Sequence, residues 1–268
     1  MNKIFCALFL TLSSLAFAEY TIGVRHIEPG GIGYNKGYSS LDLLLTPACG
    51  CPNWVVFADL RGHIFNDGKY AANAGWGVRW LPECSSRVYG VNFFYDYRQT
   101  HKRPYNQVSM GLEALGECWD FRIDGYLPVG AKRSRAFDFA FDFFPEDNSF
   151  LLTGKHELAM KGLDAEVGYH FNEMCLFDLY AAIGPYFYAP GKFGDNTFGG
   201  RLRALATICT YVTLEGNVSY DHIFKWIGQG ALALNFSFGG RKEVCSDLLY
   251  QPVWHNEIIV IDRHRNKL

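Results

Sequence analysis

The amino-acid sequence predicts an all-β protein, an antiparallel transmembrane β-barrel of about twelve strands with a short C-terminal tail. Long stretches alternate between apolar and polar residues, which is typical of strands with two different faces. An apolar leader marks an exported chain, and no later run reaches the about eighteen apolar residues of a membrane-spanning helix. Long strands with a charged second face favour a barrel that is apolar outside and wet inside.

The N-terminus resembles a secretory signal peptide. Lys3 supplies a positive charge, residues 4–15 are mostly apolar, and Ala16-Phe17-Ala18 is a small-residue cleavage site. We therefore expect cleavage after Ala18. No cysteine follows at once, so a lipoprotein anchor is not expected. The predicted segments are a signal peptide (1–18), a barrel (19–238) and a C-terminal tail (239–268).

The clearest alternation lies between residues 86 and 129. Apolar residues such as Phe93 alternate with polar ones such as Asp96, and short turns at 101–104 and 116–118 separate three strands. Elsewhere Asn66-Asp67-Gly68 is a hairpin turn. The predicted strands are 20–27, 34–46, 54–65, 69–81, 87–97, 107–114, 119–127, 163–171, 178–187, 198–208, 211–220 and 226–238. Residues 131–154, with an aromatic run at 137–144, are predicted to be irregular.

Charged residues collect on the polar face of these strands. In a closed barrel they would meet in the lumen, where mixed charges can pair and hold water; in an open sheet they would form a solvated outer face. The predicted lumen charges are Asp96, Arg98, Glu113, Asp120, Arg122, Asp124, Asp164, Glu166, Asp178, Arg201, Arg203 and Glu215.

The cysteines outside the leader all lie in alternate turns or after the last strand. Alternate turns share one rim of a barrel, and the longer loops (99–104, 131–154 and 189–195) fall on the other rim. Outer loops are the longer ones in such barrels, so the cysteine rim is predicted to face the oxidising periplasm. The candidate disulfide residues are Cys49, Cys51, Cys84, Cys118, Cys175, Cys209 and Cys245.

These thiols suggest cross-linking, either within the rim or to neighbouring envelope proteins. Their number is odd, so at least one would be free or bonded to another chain. The alternative is that some are small apolar residues at turns. Cys49-Gly50-Cys51 lacks the usual zinc-ligand spacing, and we expect neither a metal nor a cofactor.

Signs of catalysis are weak. The sequence has no spaced set of metal ligands and no Gly-Xaa-Ser-Xaa-Gly motif. Asp221-His222, near an outer rim, is the best candidate pair, but solvated loop residues are the simpler interpretation, and we predict no enzyme. The cluster 132–135 could bind anionic polysaccharide or could be a solvated loop. A net charge of -2 gives no indication of a nucleic-acid partner.

Several segments resemble the β-domain of inverse autotransporters, the intimin and invasin group. The similarity covers roughly 39–263 and depends on the order and spacing of its segments. They are Ser39-Ser40-Leu41-Asp42-Leu43-Leu44-Leu45, Gly90-Val91-Asn92-Phe93-Phe94-Tyr95-Asp96, Gly125-Tyr126-Leu127-Pro128, Gly162-Leu163-Asp164-Ala165-Glu166-Val167-Gly168-Tyr169 and Asn256-Glu257-Ile258-Ile259-Val260.

The resemblance implies a twelve-stranded outer-membrane barrel whose following linker runs up the lumen. We therefore expect residues 241–268 to occupy the lumen or its mouth. Because the sequence ends at Leu268, we expect no passenger domain and no adhesion through one. The predicted role is that of a structural envelope protein in contact with outer-membrane lipid. A small-solute pore, an outer-membrane enzyme and a secreted β-sandwich are the alternatives.

Overall fold

A computed structural model describes residues 18–47, 53–135, 137–144, 149–171, 177–191, 194–208, 211–238 and 247–267. Twelve antiparallel strands close into a barrel, as predicted. They are β1 (Ala18–Glu28), β2 (Tyr38–Pro47), β3 (Trp54–Phe65), β4 (Tyr70–Trp80), β5 (Val88–Gln99), β6 (Pro104–Leu115), β7 (Trp119–Val129), β10 (Lys161–Phe171), β11 (Phe177–Ala189), β12 (Thr197–Ile208), β13 (Val212–Asp221) and β14 (Lys225–Phe238).

Closure depends on the pairing of the first strand with the last. β1 and β14 are antiparallel, with Tyr20 opposite Phe238 and Glu28 opposite Gly230. The described barrel strands therefore leave no edge unpaired, and every strand can satisfy its backbone groups away from water. This closure excludes the β-sandwich alternative.

The period-two pattern of each strand separates a lipid face from a lumen face. In β3, Leu60 and Ile64 point outward and are 44% and 57% exposed, whereas Asp59 and His63 point inward and are only 3% and 1% exposed. Apolar side chains are thus on the surface and charged ones inside, the reverse of a water-soluble protein.

Aromatic side chains form belts on the outer surface near both rims. Trp80 stacks with Tyr89 near the rim that carries Cys84, and Tyr220 packs against Trp226 near the opposite rim. Such belts are typical of the two membrane–water interfaces. None of the helical segments among the described residues has the length and apolar character needed to cross a membrane.

The prediction that residues 131–154 are irregular is wrong. They contain β8 (Phe137–Phe144) and the first part of β9 (Ser149–Ala159), and β9 pairs on its other side with β15 (Ile261–Lys267) near the C-terminus. The order β15-β9-β8 makes a three-stranded sheet separate from the barrel wall. The pairing of β9 with β15 joins distant parts of the chain, so local sequence patterns give no sign of it.

Candidate functional site: the occupied lumen

The C-terminal segment 247–267 passes through the lumen from one rim to the other. It begins with a 3₁₀ turn (Asp247–Tyr250), where Leu249 packs against Val55, Val88 and Leu115 at the cysteine-bearing rim. It ends at the opposite rim, where β15 pairs with β9. The expectation that the tail occupies the lumen therefore holds for these residues, whereas 241–246 and 268 lie outside the described part of the chain.

Arg79 holds the tail where it enters. Its guanidinium is 1% exposed and lies over the Phe57 ring, with Cζ 5.0 Å from the ring centroid. Nε donates to Glu113 at 2.7 Å, and Nη1 donates to the carbonyl oxygens of Leu249 (3.2 Å) and Gln251. One buried ion pair thus supplies donors for the backbone of the tail.

Glu257 is the ionic centre of the tail. Its carboxylate accepts hydrogen bonds from Arg25 (2.7 Å), Arg61 (3.2 Å) and the Tyr38 hydroxyl (2.7 Å). Asn73 donates to the Glu257 backbone carbonyl at 2.8 Å. The carboxylate and both guanidiniums are almost fully buried, so their charges need compensation by ion pairs. Arg25 also pairs with Asp42 (3.4 Å) and Arg61 with Asp59 (2.7 Å).

Two aromatic side chains of the tail contact charged groups of the wall. The His255 ring stacks on Phe94 with a centroid distance of 3.9 Å, and its Nε2 lies 3.5 Å from Asp96. The Arg203 guanidinium lies 3.7 Å from the centroid of the Trp254 ring. These contacts place a planar side chain of the tail across the middle of the lumen.

Backbone and amide contacts continue to the far rim. Asn256 donates its backbone N–H to the Tyr126 hydroxyl (2.8 Å) and its side-chain amide to the Tyr188 hydroxyl (3.0 Å). Arg98 donates to the carbonyl of Ile259, and the Met160 amide donates to the carbonyl of Val260 at 3.0 Å. Polar contacts therefore hold the tail along its whole path.

The predicted lumen charges all lie on the inner face. Arg201 and Glu215 are partly exposed there, and Asp178 is exposed and lines an internal cavity. The others are buried: Asp96, Arg98, Glu113, Asp120, Arg122, Asp124, Asp164, Glu166 and Arg203.

Sequence reasoning missed the inward groups that bind the tail most directly. These are Arg25, Arg61 and Arg79, which occupy inner positions of their strands, and Glu257. The alternation of β3 and β4 could have revealed Arg61 and Arg79. Their partners could not be inferred, because pairing across a lumen leaves no local pattern.

The tail covers only part of the inner wall. A cavity of about 550 Å³ remains between it and the wall, and strands β1–β3, β7 and β10–β14 supply its lining. Trp254 of the tail and Arg203 are among the lining residues. A second cavity of only about 50 Å³ adjoins Arg201, Gln229 and Asn256, nearer the rim where the tail leaves. The free space is therefore wide toward the cysteine rim and narrow toward the other.

The described cysteines, Cys84 and Cys118, are both exposed and free. They lie in the β4–β5 and β6–β7 connections, which share one rim. Cys49, Cys51, Cys175, Cys209 and Cys245 lie outside the described residues, although the strand ends that flank Cys49, Cys51, Cys175 and Cys209 are at that same rim. Disulfide formation stays a prediction.

In the candidate catalytic pair Asp221-His222, the aspartate makes hydrogen bonds that hold a turn. Asp221 is buried, accepts a hydrogen bond from the Tyr186 hydroxyl (2.6 Å) and caps the backbone amides of Ile223 and Phe224 at 2.7 Å. His222 is exposed at the same turn. Asp221 thus stabilises the β13–β14 turn, in the manner of aspartates that bind backbone amides two residues on.

One buried group has the composition of a metal site. Ligand atoms of Asp42, His63 and Glu257 lie within 4.8 Å of one another. Glu257 already pairs with two arginines, and His63 Nε2 lies 2.6 Å from Asn73 Oδ1. The Glu257 carboxylate is therefore shared with two guanidiniums, and the arrangement is that of an ion-pair network.

The family model for the inverse autotransporter β-domain matches residues 31–171, more than half of the chain. The chain belongs to the inverse autotransporter β-domain family. Membership and the closed barrel together place it in the outer membrane. The matched segment covers much of the wall that the tail contacts, from the β1–β2 loop to the end of β10.

One solved structure shares the fold of this inverse autotransporter β-domain, and two others match it at lower TM-scores. A membrane protein studied for the mechanism of in-meso crystallization has a TM-score of 0.67 at 15% identity, with 92% of this chain and 100% of that chain covered. An outer membrane channel from Pseudomonas putida F1 has a TM-score of 0.48 at 9% identity, covering 82% and 95%. The KdgM porin has a TM-score of 0.45 at 8% identity, covering 81% and 99%. No curated protein matches the sequence.

Proposed function

We propose that this protein is a structural component of the outer membrane, a barrel that its own C-terminal segment keeps closed. In this proposal the rim that carries β8, β9 and β15 faces the cell exterior, because the longest connection of the barrel lies there. The cysteine rim then faces the periplasm. The chain would contribute a stable wall element with an exposed surface sheet and no continuous pore.

The observation that carries the proposal is the ionic contact of Glu257 with Arg25 and Arg61 in the middle of the lumen. If the tail left, Arg25 and Arg61 would lose the Glu257 carboxylate and keep only their wall partners, Asp42 and Asp59. Breaking a buried pair by removing one partner typically costs about 3–5 kcal/mol. The occupied state is therefore strongly preferred over an open one.

A small-solute pore is the second candidate, and the cavity of about 550 Å³ favours it. The cavity is lined by charges of both signs and could hold hydrated solutes. Its continuation toward the other rim is the space of about 50 Å³ beside Asn256, little more than room for a few waters. A pore function would need the tail to shift at that point.

Single-channel conductance of the full chain in a planar bilayer tests these two proposals. The closed-barrel proposal predicts a silent baseline for the natural chain and frequent openings for Glu257→Ala. Glu83→Ala, which removes an exposed carboxylate between β4 and β5, is the matched control and should stay silent. A steady open conductance from the natural chain would instead favour the pore.

We propose in addition that exposed thiols at the cysteine rim form cross-links to neighbouring envelope proteins. Cys84 and Cys118 have the exposure that this needs, and the periplasm supplies oxidising conditions. Gel mobility without reductant, described below, tests this part of the proposal separately from closure of the lumen.

A further inference from the structure

A pocket of about 200 Å³ opens at the outer rim, beside the point where the tail leaves the lumen. Most of the charged residues that line this pocket take no part in the contacts that hold the tail. Its charged lining comes from separate segments: the β1–β2 loop, the β3–β4 turn, the end of β5 with the following turn, and β15. The charged and titratable residues are Lys36, Asp67, Lys69, Arg98, His101 and Arg263.

Arg98 is the buried base of this pocket. It is 7% exposed, and its guanidinium lies between the rings of Tyr34 and Phe65, with Cζ 5.8 Å and 5.7 Å from the two centroids. Nη1 donates to the carbonyl oxygens of Gly33 (3.0 Å) and Ile259. Nε has no hydrogen-bond partner.

Arg98 also differs from Arg25, Arg61 and Arg79 in its charge compensation. Arg25, Arg61 and Arg79 each form an ion pair with a carboxylate, whereas none of the described carboxylates lies within 4.0 Å of Arg98. A buried cation without a counter-ion is costly. The pocket therefore has a place for a negative charge that the described chain does not supply.

The rest of the lining adds positive charge. Asp67 is the sole carboxylate among the described residues of the pocket, and Lys69 already contacts it at 2.6 Å. Arg263 lies 3.6 Å from Glu157, and more than two-fifths of its side chain is exposed. Lys36 and His101 are exposed beside it. The field in the pocket thus favours an anion.

We propose that this pocket binds a phosphate group, with Arg98 as its buried anchor and Lys36 and Arg263 at its mouth. A guanidinium offers donors in a planar arrangement that matches phosphate oxygens, and such charge-assisted hydrogen bonds are strong. The volume is below the about 300–1,000 Å³ of typical organic-ligand sites, which suits a compact anion and part of its carrier. The phosphate can belong to a soluble compound or to a phosphorylated lipid headgroup of the outer leaflet.

Calorimetric titration of the folded full chain in detergent tests the proposal. The probes are inorganic phosphate, lipopolysaccharide and the same lipopolysaccharide after dephosphorylation. We expect saturable phosphate binding that Lys36→Gln with Arg263→Gln weakens by about tenfold or more, because each lost charged contact contributes on the order of one tenfold step. Lys161→Gln, an exposed lysine of β10 on the same rim, is the matched control and should leave binding unchanged.

The outcomes separate the two sources. Lipopolysaccharide that binds more tightly than its dephosphorylated form, and competes with phosphate, identifies a lipid headgroup. Phosphate binding with no difference between the two lipids identifies a soluble phosphate compound. Absence of saturable binding by phosphate and of any difference between the two lipids overturns the proposal. Binding that Lys36→Gln with Arg263→Gln leaves unchanged overturns it as well. Arg98→Lys, which keeps the charge and loses the planar donors, should give intermediate phosphate affinity in a folded barrel.

Discussion

Two parts of the barrel wall have the same alternating sequence pattern but different interiors. On β3, the inner positions Phe57, Asp59 and His63 are almost completely buried, and Phe57 packs with Val253 of the tail. On β14, the inner positions from Gln229 to Asn235 remain partly exposed and line open space. We call β3–β6, whose inner positions are all buried, the tail side, and β12–β14, which carry partly exposed inner positions, the cavity side.

Period-two alternation predicts the strands of the barrel wall. The size and charge of the inner side chains decide whether the tail or open space lies against them. The tail side presents arginines and aromatic rings that bind the tail. The inner positions of β14 include Ala231 and Ala233, whose small side chains cannot reach across the lumen. Substitutions of the same kind on the two sides should therefore have unequal effects.

The largest difference is expected for carboxylates. Glu257→Ala leaves Arg25 and Arg61 without that partner, and we expect a loss of about 3–5 kcal/mol in the free energy of unfolding. Urea titration of the barrel in detergent, followed by tryptophan fluorescence, measures it. Glu215→Ala on the cavity side is the matched control and should cost under about 1 kcal/mol. Equal losses would show that the tail is not held by this contact.

The second-largest difference in unfolding free energy is expected when a buried apolar side chain is truncated. Ile258 of the tail is 1% exposed and packs with Ile27, Tyr38 and Phe65, so Ile258→Ala should cost about 2–4 kcal/mol through the cavity it leaves. Leu205, an inner residue on the cavity side, is partly exposed, and Leu205→Ala should cost about 1 kcal/mol or less. The same urea titration compares the two variants. A larger loss for Leu205→Ala would contradict the assignment of the two sides.

Substitutions that add side-chain volume should also destabilise the tail side more than the cavity side. A Cβ on Gly77 would lie 2.4 Å from the Phe57 ring and 2.7 Å from the Val91 carbonyl oxygen, so Gly77→Ala should cost about 1–3 kcal/mol. Ala233→Val adds volume where the cavity lies and should stay within about 0.5 kcal/mol. Heat-dependent gel mobility ranks the two variants. A neutral Gly77→Ala together with a destabilising Ala233→Val would contradict this expected difference between the two sides.

The smallest effect on stability is expected at the cysteine rim. Cys84→Ser with Cys118→Ser changes two exposed free thiols and should alter the unfolding free energy by less than about 0.5 kcal/mol. The same double substitution should remove high-mass bands from non-reducing gels of outer membranes. Persistence of those bands would exclude these two thiols as linkage points.

Much of the wall could be predicted from the sequence, because each barrel strand carries its own period-two pattern. The twelve predicted strands correspond to the twelve of the closed barrel, with ends that differ by a few residues. β8 and β9 were missed, although Phe137, Phe139 and Phe141 alternate with other residues and the two strands form a local hairpin. What the sequence does not show is that β9 also pairs with the distant β15. Pairing between distant segments has no local sign.

The candidate site was predicted in part. Inner charges such as Asp120 and Glu166 follow from alternation alone, since a closed barrel turns the polar face inward. The path of the tail was expected only from resemblance to a family. The pairing of Glu257 with Arg25 and Arg61 depends on three-dimensional register between tail and wall, which composition and spacing do not encode.

We propose that the tail crosses the lumen and leaves it at the rim that faces the cell exterior. The most direct measurement is detection, on intact cells, of a short epitope tag placed after Leu268. A tag in the β13–β14 turn serves as the outer-rim control, and one between β4 and β5 serves as the periplasmic control. We expect the C-terminal tag to be accessible without permeabilisation, like the outer-rim control. Accessibility only after the outer membrane is permeabilised would contradict it.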